Sequence, residues 1–269
     1  MANYYYYLLC AMPRLRLGER NRPNVKNFLD TRGHLIFKEE WEQINLILLK
    51  NDCFNLNSLL NKLEIKPLMG TISLEQLEEG IKQSTGLPEF MLKFVTAFKA
   101  EEIEKADPFD QLLEDYYCYA INNSVPFMKK WFAFERDLHN IIAGLRTRNF
   151  NLEPEKYILN HNETAQQIIN NFSSPDFDLA KKYLWLNEVM LIMEGEDPLF
   201  LERKLDEIKW YKLDEMTYHI YFRSEAFLSY FIRLTLLERW LEVVPEKAEQ
   251  ILETTLSDLK SKEVEISDK

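Results

Sequence analysis

Apolar residues recur at three- and four-residue intervals along most of the chain, while alternation with a period of two is hard to find over any useful length. The spacing predicts an all-α protein built from packed helices and helical hairpins, with no sheet. Long paired segments suit degenerate helical-hairpin repeats, although no repeat period is visible.

Capping and breaking residues divide the pattern. The four consecutive tyrosines Tyr4–Tyr7 occupy every face of a helix and both faces of a strand, so the segment Tyr4 to Met12 has no decided type. Pro13 ends it either way, because the residue before a proline is pushed out of the α region. Residues 13–34 read as a loop with room for one short helix. Helices are expected over Phe37–Leu49 and Leu56–Leu63, then from a capping box formed by Ser73 and Gln76 to a stop at Gly86. Pro88 begins a segment reaching Glu104, Asp107-Pro108 opens one to Asn122, and Pro126 opens the helix that contains Trp131 to Asn149. Glu153-Pro154 starts a short helix. Others are expected over Glu163–Asn171, Asp176–Glu194, Pro198–Tyr211 and Asp214–Val243, with a charged terminal helix over Pro245–Lys260. A loose boundary near residues 120–126 gives an N-terminal lobe (1–122), a C-terminal lobe (123–262) and a frayed tail (263–269).

Composition narrows the function classes. Hydrophobic residues make up 46% and charged residues 29% of the 269, a globular balance. A net charge of −11 argues against a nucleic-acid partner, which calls for a basic face. No uncharged apolar run approaches the roughly 20 residues that span a bilayer. The N-terminus lacks the basic n-region of a signal peptide and reads as mature protein. Cys10, Cys53 and Cys118 are far apart and lack C-x-x-C spacing, which fits a reducing, cytoplasmic home. Only 7 glycines occur, and neither G-x-G-x-x-G nor G-x-x-x-x-G-K-[ST] is among the motifs, against a common nucleotide enzyme.

The stretch Trp131 to Asn149 carries the most ordered chemistry. At about 100° per residue, Phe134, Leu138, Ile141 and Leu145 fall within one narrow arc, with Trp131 and Ile142 at its edge. Glu135, His139 and Arg146 line one border of that core face, Asp137 and Arg148 the other, as border ion pairs between helices would. Gly144 lies between Asn140 and Arg148 on the opposite face, where glycine is a poor solvent-facing choice and a second helix is expected to approach.

Two E-x-x-x-H pairs, Glu135 with His139 and Glu215 with His219, put carboxylate and imidazole on one helical face. Di-iron bundles use Glu-x-x-His with two further glutamates, so the spacing departs from that metal pattern, and H-E-x-x-H is missing. No G-x-S-x-G elbow supports a nucleophile, and His34, His139, His161 and His219 lack a supporting motif. The expectation is a non-enzyme with no catalytic, cofactor or metal residues. From Tyr218 to Trp240 aromatic residues crowd more than one side of a helix, as in a central bundle element or an exposed docking stripe.

The run F-E-R-D-L-H-N-I-I-A-G-L-R-T-R-N, Phe134 to Asn149, resembles the D-L-x-N-hydrophobic-x-x-x-L-R motif of the C subunit, also called d, of vacuolar- and archaeal-type (V/A-type) rotary ATPases. A short proline-containing segment and Tyr157-Ile158-Leu159 follow it, as in that family. Tyr5-Tyr6-Tyr7-Leu8-Leu9 with Pro13 resembles the opening of an uncharacterised bacterial family associated with these ATPases as a divergent C-subunit relative. The resemblance implies a non-catalytic, funnel-like helical socket on the cytoplasmic end of the membrane rotor ring, receiving the central shaft. Its partners would be rotor-ring and shaft subunits, and its location peripheral to the inner membrane through protein contacts. Glu135, Asp137, Leu138, Asn140, Leu145 and Arg146 are then expected in structural or interface roles, and Tyr5, Tyr6, Tyr7 and Leu8 form the N-terminal family motif. The chain is short for three helical subdomains. Two other readings are a soluble helical scaffold or regulator with an unrelated partner, and a metal-dependent helical-bundle enzyme built on the Glu/His pairs.

Overall fold

A computed structural model describes residues 4–17, 24–63, 66–159, 162–195 and 197–243. Every regular element among them is helical, the one extended feature being an isolated bridge between Tyr4 and Arg223. No helix among the described residues is long and apolar enough to cross a membrane. The expected terminal helix Pro245–Lys260 and the tail lie outside the described residues.

The chain divides into two units, Lys38–Lys212 and the pair of segments Met1–Phe37 and Leu213–Lys269. The boundary expected at residue 122 falls inside the first of these, between two helices that pack on one another. α1 (Tyr6–Ala11), α2 (Val25–Arg32) and α11 (Ser224–Val243) build the smaller unit. Phe28 of α2 and Tyr5 both meet α11 there: the Tyr5 ring stacks on Phe227 at 4.4 Å, and Phe28 lies 6.0 Å from Phe231.

The larger unit holds α3 (Lys38–Leu60), α4 (Leu74–Gln83), α5 (Glu89–Lys99), α6 (Pro108–Asn122), α7 (Pro126–Asn149), α8 (Glu163–Asn170) and α9 (Leu186–Met193). α10 (Pro198–Met216) follows. α6 packs against α3, α5 and α7, and α8 lies on α7. Leu112, Tyr116 and Ala120 of α6, Ile44, Cys53 and Leu56 of α3 and Trp131, Phe132 and Leu138 of α7 are all buried, and the Tyr116 ring meets Phe132 edge-on at 6.1 Å. The Tyr116 hydroxyl, fully enclosed, donates to the Leu46 carbonyl at 3.0 Å, so this buried polar tip is satisfied.

Helix starts follow local chemistry. The Ser73–Gln76 capping box forms, Asp107 caps α6, and Pro108 and Pro126 sit at first-turn positions where a missing N–H costs nothing. Five expectations change. The two helices expected over Phe37–Leu63 are one, α3, because Asn51, Asp52 and Asn55 do not break it. They hold the returning loop: Asn55 exchanges two 2.8 Å bonds with the Leu68 backbone, and Asp52 accepts from Thr71 Oγ1 and from the Thr71 and Ile72 amides. α5 stops at Lys99 rather than Glu104, and α4 stops at Gln83, its C-cap Ser84 taking the left-handed conformation ahead of Gly86, whose φ is also positive. Asp176–Glu194 is helical only over α9. Phe177 and Asp178 there have positive φ, and Asp176 accepts from the Asp178 and Ala180 amides in tight turns. Asp214–Val243 is interrupted between Met216 and Ser224, where the Tyr5 amide donates to the Phe222 carbonyl at 2.7 Å and draws that backbone out of helical pairing.

Candidate functional site: the motif helix and its clamps

α7 is buried around most of its circumference. Phe134, Leu138, Ile141 and Leu145 face the core as the helical arc predicts. Of its polar border residues, Glu135 and His139 meet charged side chains of α3 and α6 as pairs between helices, while Asp137 and Arg148 bond to segments that follow α7 in the chain.

Asn140 is fully buried. Its amide group donates to the Leu159 carbonyl at 2.9 Å and its oxygen accepts from the Leu159 amide at 2.8 Å. One side chain thereby satisfies both backbone groups of a residue that lies outside regular structure, which the interior otherwise penalises.

Asp137 accepts three bonds, from Asn162 Nδ2 at 2.6 Å, Thr164 Oγ1 at 3.0 Å and the Tyr183 hydroxyl at 2.8 Å. Asn162 in turn caps α8, its oxygen taking the Ala165 amide at 2.8 Å. The Asp137 carboxylate therefore fixes the start of α8 and the segment before α9 from one point. Burial is the main reason the Tyr183 phenol is held above its ordinary pKa, with Asp137 adding to the effect, so it stays a donor.

Glu135 meets Lys50 of α3 at 3.3 Å, and the same ammonium lies 2.9 Å from the Tyr117 hydroxyl. His139 does not pair with Glu135: its Nε2 lies 3.4 Å from Asp110 of α6. Lys105 continues this seam, bridging Glu114 at 3.2 Å and the Ile158 carbonyl at 2.6 Å. Enclosure raises the Tyr116 and Tyr117 hydroxyls well above their usual range, so both remain protonated.

The two arginines part company. Arg148 donates to the Ser174 and Pro175 carbonyls at 2.7 and 2.5 Å and covers the Phe177 ring at 4.9 Å. Arg146 is exposed in the last turn of α7, so the expected border position of that residue is a solvent position. Gly144 receives α8 as its placement predicts: a Cβ there would lie 2.8 Å from Ile168 Cγ2 and 3.3 Å from the Phe177 ring.

At the N-terminus only half of the family motif turns inward. Tyr5 and Leu8 are buried, and the Tyr5 hydroxyl accepts from the Phe37 amide at 3.1 Å, while Tyr6 and Tyr7 face outward. The second Glu/His pair does not form a helical face, because α10 ends at Met216 and His219 has φ 64°. Among the described residues no three His, Cys, Asp or Glu side chains gather as metal ligands would. Sequence reasoning missed Thr164, Tyr183 and Leu159 as the partners of α7. Asn162 alone carried a signal, as the capping residue before Glu163.

Residues 1–263 match a family described as a protein of unknown function, DUF2764. The chain belongs to this DUF2764 family. Two curated relatives, both described as uncharacterized proteins, come from Chlamydia trachomatis (25% identical) and Chlamydia muridarum (24% identical), each over 145 residues. Those matches cover 52% of this chain, which spans about half, 53%, of the length of each relative. No solved structure matches this DUF2764 chain.

Proposed function

We propose that the chain is a non-catalytic subunit of a V/A-type rotary ATPase, coupling the central stalk to the membrane rotor ring during proton or sodium transport. The observation that carries this reading is that the two parts of the resemblance, Phe134–Asn149 and Tyr157–Leu159, are joined by the Asn140–Leu159 double hydrogen bond. The motif asparagine and the segment that follows it thus act as one structural piece. Torque transfer asks for a stiff body with two protein interfaces rather than a reaction centre. A helix buried on most sides and tied to its neighbours through Asp137, Asn140 and Arg148 suits that demand.

The partners on this reading are rotor-ring and shaft subunits, and the position is cytoplasmic, peripheral to the inner membrane. Tagging the chain, extracting native membranes in mild detergent and identifying the proteins that co-purify tests it. Recovery of stalk and ring subunits supports the proposal. Recovery of a different stoichiometric partner without any ATPase subunit overturns it and makes the protein a helical scaffold for that partner.

A further inference from the structure

The smaller unit carries an aromatic surface that its own packing does not use. In α1, Tyr5 and Leu8 turn inward, so Tyr6 and Tyr7 turn outward, Tyr7 to 94% exposure. Tyr4 stacks on Tyr6 with ring centroids 5.4 Å apart, and Tyr6 lies 4.9 Å from Phe222. The Tyr5–Phe222 backbone bond and the Tyr4–Arg223 bridge fix this ladder against the turn that precedes α11. Tyr221 in that turn is 69% exposed. Tyr4, Tyr6 and Phe222 thus form a connected ladder, with Tyr7 and Tyr221 exposed on the same unit, and solvent-facing aromatic groups of this kind mark contact surfaces.

Charge selects among the possible occupants. The first 37 residues carry six lysines and arginines against two acidic residues, within a chain whose net charge is −11. Glu225 is neutralised by Arg223 at 3.1 Å and Asp214 by Arg233 at 2.7 Å. Arg14 and Arg16 are exposed. Arg14 follows the end of α1 by three residues, so its Cα lies within about 11 Å of that of Ala11. A basic partner protein would be drawn to the acidic remainder of the chain and not to this segment. An anionic surface is attracted to this basic segment.

We infer that the outward tyrosine face of the smaller unit, with Arg14 and Arg16, docks on an anionic lipid surface. Tyrosine rings settle at the headgroup level, where the ring leaves water while the hydroxyl keeps its hydrogen bonds. Exposed arginines of the same unit add the attraction of the negative surface potential, worth about fivefold in binding for each residue near the surface. The short helix α1 lies at the surface and does not span. This contact is with lipid itself and does not depend on the ATPase reading, since vesicles contain no protein.

The test is flotation of the purified full-length chain with vesicles of phosphatidylcholine alone and of phosphatidylcholine with phosphatidylglycerol. The expected result is enrichment on the anionic vesicles only, falling as salt rises from about 0.1 M to about 1 M. R14Q/R16Q should weaken that binding about thirtyfold, taking the per-residue effect twice. Y7S, which alters the most exposed ring and no core contact, should weaken it as well, with an unchanged thermal melt in both variants. Failure of the wild-type chain to prefer anionic vesicles overturns the inference. So does wild-type-like binding by both variants, which would put the contact on another surface.

Discussion

Replacing Asn140 with alanine tests the clamp on which the motif helix depends. The substitution removes both hydrogen bonds to Leu159 and leaves a backbone N–H and C=O buried without partners. Each orphaned group costs about 1–3 kcal/mol, and the two lie on one residue that can shift slightly, so a total loss of about 2–5 kcal/mol is expected. Urea unfolding followed by tryptophan emission, with Trp131 inside the affected unit, should show a lower midpoint at an unchanged slope. Hydrogen exchange supplies the local readout: the Leu159 amide, protected by Asn140 in the native chain, should exchange faster than amides of α3. Asn140→Asp should be at least as damaging, since a carboxylate cannot donate to the Leu159 carbonyl. A loss below about 0.5 kcal/mol together with unchanged protection at Leu159 would refute the clamp.

Three other outcomes follow from the packing and the charges. Gly144→Ala should destabilise the chain by about 1–2 kcal/mol, because the clash with Ile168 and Phe177 outweighs the better helix propensity of alanine; thermal melts measure it, and a gain in stability would show that α8 moves aside. Burial, then the neighbouring Glu114, push Asp115 up to about 6 from an ordinary 3.8, so the folded chain holds that proton where the unfolded chain has released it. Stability from this group therefore falls as pH rises from about 4 to about 6 and is level above, and Asp115→Asn should raise stability at pH 7 by about 1–2 kcal/mol after allowance for partial solvent contact, checked by urea titrations at several pH values. Tyr5→Phe keeps the stack on Phe227 but removes the acceptor of the Phe37 amide, and should cost about 0.5–1.5 kcal/mol in a thermal melt.

How far the fold was legible depended on whether local or distant chemistry decided each element. Ser73 with Gln76, Asp107-Pro108 and Pro126 announce helix starts through groups a few residues apart, and all three start where expected. The gap expected between Leu49 and Leu56 holds the polar Asn51, Asp52 and Asn55. Their side chains serve a loop some 13 to 20 residues further on, a partnership no window over α3 contains. The turn before α11 is set by the Tyr5 amide from the far end of the chain, which is why an apolar pattern that suited continuous helix was interrupted. Within α7 the wheel placed the core arc and the close approach at Gly144 correctly. It did not give the partners of Asp137 and Asn140, because helical position sets the direction of those side chains but not the identity of Thr164, Tyr183 and Leu159.

The most direct measurement of the central proposal is reciprocal to tagging this chain: purifying the native V/A-type ATPase through a catalytic head subunit and counting its components by quantitative mass spectrometry. The account predicts this chain at one copy per central shaft. An intact, active ATPase from which the chain is absent would contradict it.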